Sequence, residues 1–476
     1  MKRLMKIVSD LSDFQVEVTK ENKEHVILSK ISAHGREGKE DAFFIADLSN
    51  IARKLQLWKE ELPRVEPHYA VKCNEDPAVL RLLAYLGTGF DCASKSEIQK
   101  VLDLGVASKS EIQKVLDLGV APSRIVYANP CKQASFIKHA AHNKVSMMTF
   151  DNEAELHKIK AFYPDAELIV RILPPGNIEA QCQLGMKFGC TVKEAGSLLA
   201  KAKELQLNVI GVSFHVGSGC LEADAFARAV LLARAVFDIG AQLGFDFKLL
   251  DIGGGFPGQD SAKISFKEIC QLLRPALDEH FPTDSGVRII SEPGRFFVAS
   301  AFTVVVNVIA KRVVARDGKG YSEAPTANDE PAFMYYVNDG VYGSFNCLLF
   351  DHAEVKPTVL EVHEEPAYTS SIWGPTCDGL DCIRSEVQLP ELHVGSWLAF
   401  HDMGAYTMCA ASTFNGMPRP KVYYTMKHPI CLPSTLHPAM QELLTEESAA
   451  HHLLLDMELP PGLLQPEPIS ILVADQ

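Results

Sequence analysis

The sequence predicts an α/β fold, a (β/α)8 barrel followed by an all-β C-terminal domain, and three observations carry that reading. From Pro67 to Glu292, eight short β-rich runs alternate with helical patterns. Seven of the eight runs carry a polar or glycine residue at, or within two positions of, their C-terminal end, as strands do where a barrel gathers its chemistry at one mouth. Beyond Phe297 the alternation stops, and β runs follow one another without long helices between them.

Residues 1–46 are read as an N-terminal segment that joins the β domain. The segment begins Met-Lys-Arg but then alternates polar and apolar residues, so it lacks the continuous apolar core of a signal peptide. The barrel is predicted over 47–297, with β runs at His68–Lys72, Gly89–Ala93, Ile125–Asn129, Ser146–Phe150, Glu167–Ile172, Asn208–His215, Lys248–Ile252 and Val287–Glu292. Between them, segments such as Ala154–Phe162, Ala195–Leu205 and Ala225–Leu243 place apolar residues at i, i+3 and i+4, the spacing of one helix face. The β domain is predicted over 298–428, with runs at Phe302–Val313, Phe333–Asn338, Ser344–Phe350, Ser396–His401 and Lys421–Met426. Inside it, Asp317–Glu330 is rich in Gly, Ser, Pro, Asn and acidic residues and reads as an exposed loop. Residues 429–476 are Pro-rich and acidic and are read as a tail with one helical pattern at Pro438–Met457.

Composition narrows the function. With 46 Lys+Arg against 60 Asp+Glu the net charge is −14, which disfavours nucleic acid and anionic membrane surfaces and favours a small-molecule partner. The nearest candidate for a membrane span, Val298–Ala310, is short, rich in Val and interrupted by Ser, Thr and Asn, so it reads as a buried strand. Twelve cysteines are scattered with no C-x-x-C pair and no zinc spacing, so neither a disulfide framework nor a metal is expected, and a reducing cytoplasm is the predicted home.

One segment is abnormal: residues 93–106 recur without a single change at 107–120. The repeat falls on the helix after the second barrel strand, where the helical shell has one slot, so one copy is expected to dock and the other to loop out.

The strand ends supply Lys72, Asp91, Asn129, Arg171, His215, the run Gly253-Gly254-Gly255, and Glu292 followed by Arg295. Lys72 follows Tyr69-Ala70-Val71 and points to a desolvated pocket, where the neutral amine is favoured and a Schiff base is possible; the bland reading is a surface lysine. The turn from Asp251 to Gly258 can bring backbone N–H groups to a phosphate without a Cβ in the way, with Ser218 and Arg295 completing the cup. It has neither the G-x-G-x-x-G spacing nor a closing lysine, so it is not a dinucleotide site or a P-loop. Glu292 could hold a pyridine nitrogen protonated or form a rim ion pair with Arg295; His215 could lie on a cofactor ring or be a core histidine. A Schiff-base lysine, a phosphate cup and a terminal acid together describe pyridoxal 5'-phosphate chemistry. The β domain adds Phe350-Asp351-His352, the loop Trp373–Gly379 with Cys377 and Asp378, then Tyr406 and Phe414. Cys377 could deliver a proton, and the two carboxylates could hold an amine, although most free cysteines are small buried hydrophobes.

With Pro67–Asn74, Gly89–Ser94, Ser213–Gly219, Asp251–Gly258, Glu292–Arg295 and Trp373–Gly379 in place, the chain resembles the family of vertebrate ornithine decarboxylase and its paralogues over about residues 40–426. The resemblance implies an alanine-racemase-like barrel, a C-terminal β domain, and a head-to-tail homodimer with active sites at the interface. It implies Lys72 as the cofactor's lysine and Glu292 as the pyridinium partner. His215 stacks on the ring, Ser218, Gly255, Arg295 and Tyr406 hold the phosphate, and Asp91, Glu97 and Arg171 support the pocket. Cys377 protonates, while Asp351 and Asp378, with Phe350 and Phe414 nearby, bind the substrate.

The sequence departs from the family at three places. Glu97 and Glu111 compete for one role, and Glu97 keeps its spacing from Asp91; Phe350 replaces the usual Tyr; Leu173–Asn177 and the tail share little with the ornithine enzyme. The expected activity is therefore ornithine decarboxylation to putrescine. The alternatives are a paralogue acting on leucine and an inactive inhibitor that binds antizyme through the basic segment Pro122–Lys144, which contains Arg124, Lys132, Lys138 and Lys144. Because the two copies of the repeat carry identical apolar faces and one has no place to pack, deletion of 107–120 is expected to raise the melting temperature and soluble yield; a lower melting temperature would show that the second copy packs.

Overall fold

A computed structural model describes residues 14–105, 120–176, 178–259, 263–315, 331–360 and 366–427. Two strands, β1 (Glu17–Thr19) and β2 (Phe43–Asp47), precede a closed barrel of eight parallel strands. The barrel strands are β3 (Val65–Ala70), β4 (Gly89–Cys92), β5 (Ile125–Tyr127), β6 (Met147–Phe150), β7 (Glu167–Ile172), β9 (Asn208–Phe214), β11 (Leu249–Asp251) and β12 (Arg288–Ser291). In the segments that follow β7 and β9, β8 (Ala180–Cys182) and β10 (Ser218–Cys220) pair antiparallel as a separate two-stranded sheet. Successive side chains of a strand face opposite ways. Accordingly Val126, Met147, Ile169, Leu249 and Ile290 cluster in the lumen. Their neighbours Tyr127, Met148, Leu168, Leu250 and Ile289 join the larger core beneath the helices.

The helices begin where a side chain can take up a free N–H. Asp47 caps Leu48–Glu61 and Asp76 caps Pro77–Tyr85, while Thr191 and Ser265 form capping boxes with Glu194 and Glu268. The first copy of the repeat docks as the helix Lys95–Leu102, with Ser94 Oγ accepting from the Glu97 N–H at 3.2 Å and Ile98 and Val101 buried. The second copy lies outside the described residues except for Val120, which is buried at the entry to β5.

The β domain is built on β13 (Phe302–Ala315), which pairs antiparallel with β2, with β14 (Pro331–Val337) and with β18 (Trp397–Phe400). Val304, Val306 and Val308 join the main core, while Val305 packs with Phe43, Ile45 and Trp397 on the other face. Around it lie β15 (Pro357–Val359), β16 (Tyr368–Trp373), β17 (Cys382–Leu389) and β19 (Lys421–Lys427), the last parallel to β2. The expected strand Ser344–Phe350 is instead a 3-10 turn followed by the helix Cys347–Phe350. The carboxylate of Asp339 accepts the N–H groups of Gly340 and Ser344, and Asn346 donates to the carbonyls of Gly343 and Thr407, so side chains hold the backbone in a turn. All of the predicted acidic loop Asp317–Glu330 and all of 429–476 lie outside the described residues.

Two of the four basic residues in 122–144 are turned away from the surface role expected of them. Lys132 is buried in an ion pair with Glu155 at 2.8 Å, and Arg124 donates to the carbonyls of Ala84 and Thr88; Lys138 and Lys144 remain exposed. No helix among the described residues is long and apolar enough to cross a membrane.

At the opposite mouth of the barrel from the strand ends, His68 is buried over Gly89, where a Cβ would collide with the imidazole. Burial, then the Arg288 charge, pushes its pKa down to about 4 from an ordinary 6.5. The unfolded chain then binds the extra proton between those values, so stability is full above pH 6.5 and is lost as pH falls toward 4, by roughly 3 kcal/mol. Urea unfolding across that window should show this slope, and His68→Phe should flatten it.

Candidate active site

The barrel closes in the order β11-β12-β3-β4, so groups far apart in the chain meet at four adjacent strand ends. Asp251 ends β11, Glu292 follows β12, Lys72 follows β3, and Asp91 lies on β4. The Lys72 ammonium contacts the Asp91 carboxylate. Burial pushes the amine down, but Asp91 and Glu292 outweigh it and hold it above its usual range. The sequence-based expectation of a neutral Lys72 is thus corrected: the lysine is desolvated, yet it is desolvated beside carboxylates. Glu292 is 4% exposed and its Oε1 has no partner. Burial, then Asp251 and Asp91, raise its carboxyl well above the usual range, and Asp251 itself is pushed up to about 6 by burial, so this pair retains a proton.

Glu292 does not pair with Arg295. The guanidinium of Arg295 instead binds both oxygens of Asp351 at 2.7 and 2.9 Å and donates to Ser218 Oγ at 2.9 Å. Its carbon lies 5.1 Å from the Tyr406 ring centroid, and its Nε is buried without a partner. Tyr406 has φ +55°, a costly conformation for a tyrosine, and is held there by its N–H donating to the Cys73 carbonyl at 3.0 Å. Burial keeps its phenol neutral, as a donor.

His215 Nδ1 accepts from the Gly217 N–H at 3.0 Å, which places the ring proton on Nε2. Burial, then the charges of Arg171 and Lys72, lowers its pKa well below the usual value, so it is a neutral ring at the mouth. Arg171 lies over the Phe188 ring at 5.1 Å. Glu97 accepts from the Ala93 N–H at 2.6 Å, and burial with the nearby Asp91 raises its carboxyl. The glycine run is sterically required. A Cβ at Gly253 would strike the Phe214 carbonyl, and one at Gly255, where φ is +111°, would strike the Gly217 carbonyl. Phe256 and Phe296 pack on Trp58 at 5.0 and 5.4 Å, fixing this turn against the Arg295 helix. A cavity of about 760 Å³ opens beside Arg295 and Asp351, bounded by Pro257 and Val355.

These residues fit pyridoxal phosphate. An unpartnered, proton-bearing carboxyl suits a pyridine nitrogen, Ser218, Arg295 and Tyr406 suit a phosphate beside a turn without side chains, and Lys72 interacts electrostatically with both Glu292 and Tyr406. Among the described residues no group of side chains could hold a metal ion.

Cys377, Asp378 and Phe414 form a second group. None of them hydrogen-bonds to a residue of the first. Cys377 is exposed, with its N–H donating to the Asn415 side chain at 3.1 Å, and the Tyr342 hydroxyl donates to Asp378, whose carboxyl it holds below the usual range. The Tyr342 ring lies 4.5 Å from the 44% exposed Phe414. Within one chain Asp351 and Asp378 therefore do not share a pocket, and Phe350, 70% exposed, faces outward. Three groups escaped the sequence reading. Asp251 was visible at a strand end beside the glycine run. Asp381, buried, organises the Cys377 loop by accepting from the Thr376 hydroxyl at 2.6 Å and the Val341 N–H at 2.8 Å, and Gln181 binds Asp351 at 3.0 Å. Neither of the last two carried a sequence signal.

A model of the pyridoxal-binding domain of pyridoxal-dependent decarboxylases matches residues 48–107 and 102–299, two stretches that overlap at the repeat. Ornithine decarboxylase of Mus pahari is 53% identical over 407 residues, 85% of each chain. Antizyme inhibitor 2 of Xenopus laevis is 52% identical over 388 residues, 81% of each. Among solved structures, the arginine decarboxylase of Paramecium bursaria Chlorella virus superposes with a TM-score of 0.74 at 34% identity, covering 84% of this chain and 100% of that one. The lysine/ornithine decarboxylase of Vibrio vulnificus, complexed with putrescine, gives 0.70 at 29% identity, covering 86% and 99%.

Since Gly253 has φ +64° and no room for a Cβ, Gly253→Ala is expected to cost at least about 2 kcal/mol in urea unfolding and to weaken cofactor retention; unchanged values would show that the turn relaxes freely.

Proposed function

The chain belongs to the pyridoxal-dependent decarboxylases, and on that footing we propose that it converts L-ornithine to putrescine and carbon dioxide in preference to acting on a neutral amino acid such as leucine. It is a pyridoxal-phosphate-dependent carboxy-lyase acting on an amino acid. The observation that carries the substrate choice is the exposed loop on which an ionised carboxylate, Asp378, stands next to a free thiol, Cys377.

Lys72 would hold the cofactor and Glu292 its ring nitrogen, with His215 against the ring; Ser218, Gly255, Arg295 and Tyr406 would hold the phosphate, and Asp91, Glu97 and Arg171 would support them. When bound, the cofactor takes up the electron pair left as the carboxylate departs. Cys377 would supply the proton that replaces carbon dioxide at the α-carbon, and Asp351 and Asp378 would take the distal ammonium. Since one chain separates these groups, the site is completed in a head-to-tail homodimer, where the Cys377 loop of each subunit enters the other's barrel. Leucine offers methyl groups to those carboxylates and leaves them without a cation, which is costly in a closed site. The same proposal places the enzyme in the cytoplasm.

The alternative, an inactive antizyme-binding inhibitor, draws on the exposed Lys138 and Lys144 and on the Xenopus relative. The intact set of Lys72, Glu292, Cys377 and Asp378 opposes it.

Carbon dioxide release from ornithine, lysine, arginine and leucine in competition should rank ornithine first; leucine first would move the chain to a neutral-substrate paralogue. Lys72→Ala should lose the visible cofactor band. Asp378→Ala should raise the KM for ornithine about 10–100-fold while keeping that band. Co-expressed Lys72→Ala and Cys377→Ala subunits should regain activity that neither has alone, and no recovery would refute the shared site.

A further inference from the structure

The mouth of the barrel opposite the active site contains a cavity of about 510 Å³, lined by Lys59, Glu66, His68, Arg124 and Arg288 among others. Its charges do not balance. Arg288 is satisfied by Glu66 through hydrogen bonds of 3.0 and 3.0 Å from its Nε to the carboxylate, and a third from its Nη2. Arg124 has only the neutral carbonyls of Ala84 and Thr88, and Lys59 has no ion-pair partner among the described residues. Burial alone pushes both cations down, with no carboxylate opposing it. Two uncompensated positive charges thus line one hollow in a chain whose net charge is −14.

His68 adds a second, independent feature. The ring is 1% exposed, and its Nδ1 faces the Glu66 carbonyl at 3.4 Å. A carbonyl only accepts, so Nδ1 carries the proton in the neutral ring and Nε2 offers a lone pair. That Nε2 is buried and has no partner. The hollow is therefore lined by two cations and by a residue that holds one unused acceptor.

We propose that this cavity binds a phosphate, as the inorganic ion or the head of a phosphomonoester, with Lys59 and Arg124 taking the anionic oxygens and His68 Nε2 accepting the P–O–H proton. The ligand matches both features at once: a carboxylate or sulfate supplies the charge without the hydroxyl, and a neutral polyol supplies the hydroxyl without the charge. The site lies at the far end of the barrel from the cofactor cup and competes for none of its residues. Phosphate at this mouth would tie β3, β4 and β12 to the loop before β5, so the expected consequence is a more stable barrel.

The test uses the holoenzyme, whose cofactor already fills the other phosphate cup, titrated with inorganic phosphate by calorimetry at fixed ionic strength. The parent should bind phosphate saturably, and sulfate about tenfold more weakly. Lys59→Met should weaken phosphate about tenfold with an unchanged visible cofactor band and ornithine KM. His68→Phe, which keeps the volume, should remove the preference over sulfate. Absence of saturable binding, equal binding in Lys59→Met, or sulfate binding as tightly as phosphate would each overturn the assignment. Arg124→Met serves as a second variant, and its melting temperature in chloride separates lost binding from lost folding. None of these outcomes bears on decarboxylation, which is read separately.

Discussion

Three carboxylates, Asp91, Asp251 and Glu292, are buried around one ammonium, Lys72, and the organisation of the upper barrel follows from that imbalance. An unpaired buried ion costs several kcal/mol in order of magnitude, so the excess negative charge has to be neutralised. Lys72 neutralises one carboxylate. A proton retained by the Asp251 and Glu292 pair neutralises another, leaving an acid with a buried, unpartnered oxygen. Barrel closure is what creates the cluster, because β11, β12, β3 and β4 are neighbours in space and not in sequence.

The positive counterpart is equally constrained. Arg295 projects from a short helix whose Phe296 and Phe297 pack on Trp58, so its backbone is fixed by the aromatic core and its guanidinium is aimed at Ser218, Tyr406 and Asp351. Asp351 belongs to the β domain, so this ion pair is also a joint between the two parts of the chain. Tyr406 makes a second joint through its strained backbone and the Cys73 carbonyl, directly beside Lys72. The pocket is thereby formed where the barrel and the β domain meet, and the acidic Cys377 loop, braced by Asp381, is presented outward from the same β domain.

The two mouths of the barrel divide the work. The strand C-termini gather Lys72 and the buried carboxylates of Asp91, Asp251 and Glu292. The opposite mouth holds the Glu66–Arg288 pair and the neutral His68 over Gly89, where histidine and glycine fit only together. Charge is concentrated at both ends, with the apolar lumen of Val126, Met147, Ile169, Leu249 and Ile290 between them, which keeps the two electrostatic sites separate.

The sequence by itself determined the barrel, the change to a β domain after Phe297, and the positions of Lys72, His215, the glycine run and Glu292, because alternation, helical spacing and strand-end polarity are local properties of the chain. It also preferred Glu97 to Glu111, because Glu97 keeps its spacing from Asp91, and Glu97 lies on the described helix Lys95–Leu102. Tertiary structure alone decided the rest. Lys72 is an ammonium and not the expected free amine because Asp91, nineteen residues away, is brought against it. Glu292 is released from Arg295, three residues on, because Asp351 captures the guanidinium. Ser344–Phe350 turns into a helix because Asp339, Asn346 and Thr407 supply hydrogen bonds that a strand would forgo. In each case the deciding term is an electrostatic or hydrogen-bonding partner brought close by barrel closure or domain packing, and the identity of such a partner is not written in the residues beside it.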